Sequence, residues 1–195
     1  MIMQKKKFIS LFLILALSAS LFTACADTEE PTDTSTDNAV ISEENVDEPT
    51  ESDPFAGLTF YESPTGIALY MSEGYVESSV EGVTCVFEGE NNAVSINEET
   101  FESMEAVGFS SDITLEEYAQ LLLGAYQIPG GVLTDDYGNT YIYYEKNIEG
   151  TDIAYYGFLD KGTVSFWTTN FMCIAAETDL YEEDFKLWAS SIQVP

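Results

Sequence analysis

Four strand-like runs between residues 132 and 174, joined by very short turns, constrain the fold of this chain more than any other feature. Residues 132–135, 140–145, 153–159 and 163–174 are rich in Tyr, Ile, Val, Phe, Trp and Thr, which suit a pleated, half-buried surface. Their links are Asp136-Tyr137-Gly138-Asn139, Glu149-Gly150-Thr151 and Asp160-Lys161-Gly162. Strands joined this closely are antiparallel, because a parallel pair needs a long crossover.

The rest of the domain follows the same punctuation. Residues 58–62 and 66–71 are short apolar runs split by Ser63-Pro64-Thr65. Residues 82–88 alternate, with Val83, Cys85 and Phe87 on one side, and 93–97 resume as a strand after Glu88-Gly89-Glu90-Asn91-Asn92. Residues 98–107 place Phe101 and Met104 three apart, which predicts a one-sided helix. Thr114 and Glu117 form a capping box, behind which Leu115, Tyr118, Leu122, Ala125 and Tyr126 line one helical face up to Ile128-Pro129-Gly130-Gly131. A last helix opens at Asp179 and turns Tyr181, Phe185 and Trp188 inward. The expectation is one α+β domain over residues 55–195. It has a central antiparallel sheet of about six to seven strands with helices on both faces, an α/β/α sandwich.

The N-terminal part is different in kind. Lys5, Lys6 and Lys7 precede an apolar run over 8–22 and the small pair Thr23-Ala24, the order of a secretory signal over residues 1–24. The run falls short of the ~20 apolar residues a membrane-spanning helix needs. Leu21-Phe22-Thr23-Ala24-Cys25 resembles a lipobox. That resemblance implies that Cys25 carries a diacylglyceryl group and becomes the new N-terminus. The protein is then expected at the cell membrane, lipid-anchored on its extracytoplasmic face. Residues 25–54 hold the lipidated cysteine and an acidic Thr/Ser/Pro stretch without lysine or aromatics, which predicts a disordered tether.

Charge excludes whole classes of function. Six lysines and no arginine stand against 35 acidic residues, and loss of residues 1–24 would leave three lysines and a formal charge of −32. Such a surface repels nucleic acid, and admits a cationic partner or an envelope protein. Histidine is absent, which removes the commonest general base and metal ligand. No nucleophile elbow, phosphate loop or dinucleotide fingerprint is present, so neither catalytic residues nor a cofactor are expected. Asp135, Asp136 and Asn139 offer oxygens to calcium, but a polar hairpin turn around Gly138 accounts for them better. Cys85 and Cys173 are the thiols left beside Cys25. An oxidising compartment permits a disulfide between them, while their apolar neighbours favour two buried, unbridged thiols. Most of the aromatics read as sheet-face core, with Tyr144 and Tyr155 the expected exposed members.

Several segments together resemble the PsbP-like superfamily. They are Ser63-Pro64-Thr65-Gly66-Ile67-Ala68-Leu69 running to Glu73-Gly74-Tyr75, the helix start Thr114-Leu115-Glu116-Glu117-Tyr118-Ala119, Tyr155-Tyr156-Gly157-Phe158, Phe166-Trp167 and the closing helix to Ser191-Ile192. That superfamily includes Mog-type Ran-binding proteins, extrinsic photosystem II subunits and small bacterial lipoproteins. The resemblance implies an antiparallel sheet between helices and a non-enzymatic accessory or protein-binding role. A small-molecule or divalent-cation binder is the alternative, and a carboxylate-based hydrolase the third reading. No functional residue of the superfamily maps onto this chain.

Overall fold

The computed structural model describes residues 53–195. The signal, Cys25 and nearly all of the tether lie outside the described residues. Strands β1 (Thr59–Glu62) and β2 (Ala68–Met71) form a separate hairpin. The main sheet comprises β3 (Val76–Ser78), β4 (Cys85–Glu88), β5 (Asn92–Thr100), β6 (Val132–Thr134), β7 (Thr140–Ile148), β8 (Thr151–Lys161) and β9 (Ser165–Ile174). Its order is β3-β4-β5-β9-β8-β7-β6, antiparallel throughout. Helices α1 (Phe101–Ala106) and α2 (Leu115–Tyr126) cross from β5 to β6, and α3 (Thr178–Ala189) follows β9. The expected α+β sandwich is the observed one.

Local chemistry sets the element ends. At the β7–β8 hairpin, Glu149 and Gly150 both take left-handed φ values of 50° and 89°, the geometry whose twist matches paired strands. The predicted capping box is present: Glu117 N donates to Thr114 Oγ1 at 3.2 Å, and Thr114 N donates to Glu117 Oε2 at 2.8 Å. One boundary differs from expectation. Residues 98–100 stay in strand β5, paired to Trp167, Phe166 and Ser165, and α1 begins only after Thr100 caps it through Ser103 N. Long-range pairing with β9 wins over the weak helical spacing of Phe101 and Met104.

The two faces of the sheet are covered differently. On one, Phe87, Val94, Ile96, Tyr156, Phe158, Trp167 and Phe171 meet Phe185 and Trp188 of α3. The β1–β2 hairpin closes the same face with Ile67, Leu69 and Met71, all fully buried. It is fastened to the chain end by paired backbone bonds between Ala68 and Gln193, and by Tyr70 N donating to Ser191 Oγ at 2.8 Å. On the other face, α1 and α2 seat Met104, Tyr118, Ala119 and Leu123 on Ile142, Leu159 and Phe166. These sheet residues lie toward the β7–β8–β9 side, so the face over β4 and β5 stays open.

Cys85 and Cys173 are free, buried thiols. The bridge their location permitted is not formed, and register explains why. They lie on β4 and β9, on either side of β5, opposite Ile96 and Asn92 respectively. That offset is ~13 Å along the strands and ~10 Å across them, against a Cα separation below about 7 Å in a disulfide. Burial first, and then Glu77 for Cys85 or Glu177 for Cys173, pushes both thiols up to about 11. Both therefore remain protonated and inert.

Candidate functional site: a polar-floored groove beside helix α2

The uncovered part of the second face forms a groove of about 410 Å³. Strand alternation builds its floor. On β5, Val94 and Ile96 point to the sealed core while Ser95, Asn97 and Glu99 point to the groove; on β9, Thr168, Asn170 and Met172 do the same. Register then sets Ser95 directly opposite Asn170, and Asn97 opposite Thr168. Four neutral hydrogen-bonding side chains thus form a contiguous patch on the two central strands. At the equivalent positions of the other face stand Val94, Ile96, Trp167 and Phe171, with the fully buried Thr169 as the polar exception.

Glycine shapes this floor. Gly157 is paired to both Asn170 and Ile142, and a Cβ there would lie 2.9 Å from Asn170 Oδ1 and 3.1 Å from Ile142 Cγ1. The missing side chain lets the Asn170 amide lie across β8.

The walls come from α2 and from the loop before β4. Leu122 and Tyr126 line one side with Ile128 and Pro129; Val80, Gly82 and Val83 line the other. The predicted inward stripe on α2 is therefore split. Tyr118, Ala119 and Leu123 are buried, whereas Tyr126 is 52% exposed. Tyr144 and Tyr155 close one end, stacked at 4.7 Å with their planes 3° apart. Tyr155 is buried, contrary to expectation, because Tyr144 and Met172 cover it within one small cluster.

At the opposite end Tyr118 O–H donates to Glu99 Oε2 at 3.1 Å and lies 3.5 Å from Thr168 Oγ1. Burial and then the Glu99 charge raise the Tyr118 phenol, and the same two causes raise Tyr126. Tyr144 is pushed up to about 12, chiefly by burial. The groove phenols accordingly donate hydrogen bonds and do not release protons near neutrality. The carboxyl moved toward neutrality is that of Asp160, raised to about 6 by burial, and it lies on the other face opposite Trp167.

The other residues singled out from the sequence lie elsewhere. Asp135 Oδ1 accepts from Tyr137 N and Asn139 N, and its Oδ2 accepts from Asn139 Nδ2 at 2.8 Å. Asp135 and Asn139 therefore spend their polar groups closing the β6–β7 turn, with Asp136 beside them in the same turn. Among the described residues, no three metal-ligating side chains gather around a common point. Two of the three described lysines are also committed: Lys186 pairs with Glu182 at 2.7 Å, and Lys161 Nζ donates to Ser111 O and Ile113 O over the Phe101 and Phe166 rings.

No protein-family model matches this chain, and no curated protein sequence matches it. Similar solved structures include cyanobacterial PsbP (CyanoP) from Synechocystis sp. PCC 6803, at 18% identity and TM-score 0.46, covering 72% of this chain and 94% of that one. A Bacteroides thetaiotaomicron protein is 10% identical with TM-score 0.48, over 70% of this chain but only 48% of its own length. A Pseudomonas aeruginosa protein of unknown function is 15% identical with TM-score 0.41, over 72% of this chain and 98% of its own. Likeness this distant transfers no activity.

Proposed function

We propose that this protein is a non-enzymatic, surface-tethered binding domain whose ligand is a small solute held in the groove beside α2. The observation that carries this reading is the polar patch Ser95–Asn170 and Asn97–Thr168 on the two central strands, walled by Tyr126 and closed further along by the half-buried Tyr144. Its volume falls within the ~300–1,000 Å³ typical of small-molecule sites. Most large exposed apolar side chains, by contrast, fall on separate elements, Phe60 on β1, Val76 on β3, Leu133 on β6, Val164 before β9 and Leu180 on α3, while Val107 and Phe109 share the loop after α1. That dispersal favours a solute over a broad protein interface.

The anchor completes the proposal. Among the described residues no helix is long and apolar enough to cross a membrane. A lipid at Cys25 would hold the domain at the extracytoplasmic surface, with residues 26–54 as spacer. A thermal-shift screen of the mature chain against a metabolite library tests the binding role. Ligands should stabilise the wild type and leave Asn97→Trp, which fills the groove, unmoved. Hits that persist unchanged in Asn97→Trp, or ligands that are turned over, would overturn the reading. Cys25→Ala should shift the protein from the membrane fraction to the soluble one.

A further inference from the structure

We propose that the groove takes a small polyhydroxylated amine, its ammonium at Glu99 and its hydroxyls on the floor formed by Ser95, Asn97, Thr168 and Asn170. This deepens the binding reading above and rests on it.

Glu99 is the anchor. Its carboxylate is half-buried at the end of the groove, and its hydrogen bond is the one from Tyr118. It forms no ion pair among the described residues: Lys186 and Lys161 are engaged elsewhere, and Lys146 stands at the far end of the groove. A carboxylate partly withdrawn from water gains from a counter-charge. The Tyr118 and Tyr126 phenols both feel its charge; the Tyr118 ring is buried against Phe166, and the half-exposed Tyr126 ring is the one that suits an ammonium ligand.

The groove also has a direction. Lys146 lines its far end, on the Ile153 row of the sheet, while Glu99 lies on the Phe166–Lys161 row. These rows are eight residues apart along β8, ~26 Å at strand rise. Glu88 also lines the groove, on the Tyr155 row near Lys146, and accepts from Ser78 Oγ at 2.7 Å. The Lys146 end therefore carries charges of both signs, whereas the Glu99 end carries a carboxylate with no lysine lining the groove beside it.

Between the ends the chemistry is neutral. The side chains of Ser95, Asn97 and Asn170 line the groove, and none of their hydrogen-bonding capacity is used within the described residues. Amides and hydroxyls in adjacent pairs match vicinal hydroxyl groups, and the half-buried Tyr144, stacked on the buried Tyr155, offers apolar surface to a sugar ring. The surrounding surface, at formal charge −29 over the whole chain, adds long-range attraction for a cation.

Isothermal titration of the mature chain with the β-1,4-linked N-acetylglucosamine trimer carrying one free amine, and with its neutral, fully N-acetylated counterpart, tests this. The amine form should bind one per chain, at least about tenfold tighter than the acetylated form. Glu99→Gln, which keeps an oxygen for Tyr118, should bring the two to within about twofold. Glu177→Gln, on the α3 side, should leave the discrimination intact, and Asn170→Ala should weaken both sugars together. Equal binding of the acetylated trimer would overturn the proposal, as would discrimination that survives Glu99→Gln. So would binding of many amines per chain, which is attraction to bulk acidity only. If neither trimer binds while library ligands still distinguish wild type from Asn97→Trp, the amine assignment falls and the binding role stands.

Discussion

The two faces of one sheet are built from the same strands yet differ in nearly every physical respect. Behind α3, alternate residues of β5, β8 and β9 include Val94, Ile96, Tyr156, Phe158, Trp167 and Phe171, with Thr169 the buried polar exception, sealed by a helix and a hairpin together. Beside α2, the intervening residues Ser95, Asn97 and Asn170 are half-buried and border a groove, with the buried Gly157 next to Asn170. The first face supplies the burial that holds the domain together, at roughly 25 cal/mol per Å² of apolar surface. The second forgoes burial on its central strands, and a stretch of sheet that forgoes burial is free to bind.

The sharpest way to break this comparison is to remove one large side chain from each face. Trp188 on α3 is 2% exposed and makes ring contacts with Tyr75, Phe171 and Phe185 at 5.7–6.1 Å. Trp188→Ala should cost about 3–5 kcal/mol, through lost burial and the cavity left behind. Tyr126→Ala, at the groove wall, should cost less than about 1 kcal/mol. Urea unfolding of both variants measures the contrast, and comparable losses would show that the α2 face is as structural as the other.

A second test concerns charge on the sealed face. Asp160 stands opposite Trp167, and burial raises its carboxyl from 3.8 to about 6. The folded state therefore binds a proton more tightly than the unfolded chain. Stability falls as pH rises from about 4 to about 6, and the penalty for the buried charge is constant above that window. Asp160→Asn, which carries no charge, should gain about 2 kcal/mol at pH 7 and nothing at pH 4. Melting curves at the two pH values decide it; an equal effect at both would place the cause in packing.

How far the sequence disclosed these faces depends on the range of the interactions. Short turns, the Thr114–Glu117 box and the β-rich runs are local, and they predicted the antiparallel meander and the start of α2. The pairing of β5 with β9 joins Ser95 to Asn170 across a long stretch of chain, and no local signal carries it. The polar alternation of Ser95, Asn97 and Glu99, and of Thr168 and Asn170, was visible in each strand alone. Only adjacency turns two short polar rows into a patch. The stripe on α2 misled for a related reason: Leu122 and Tyr126 have core spacing, but the sheet beneath them ends in a groove.

The gentlest test touches the one position where both halves of the second face meet. Gly157 lies between Ile142, which α2 covers, and Asn170, which the groove exposes. Gly157→Ala gains stability by narrowing the unfolded chain's freedom, about 0.4–1 kcal/mol where the fold accepts a methyl group. Here that group meets Asn170 Oδ1 at 2.9 Å and Ile142 Cγ1 at 3.1 Å. The Asn170 amide is a side-chain end bordering open space, so it can swing into the groove at little cost. Ile142 is packed under α2 and gives way less readily. The two effects nearly offset, and the net loss should stay within about 1 kcal/mol. Ligand binding should nevertheless fall, because the displaced amide leaves its place opposite Ser95. A variant that keeps both its stability and its ligand would mean that the floor's shape, and with it the distinction between the faces, matters less than its polarity.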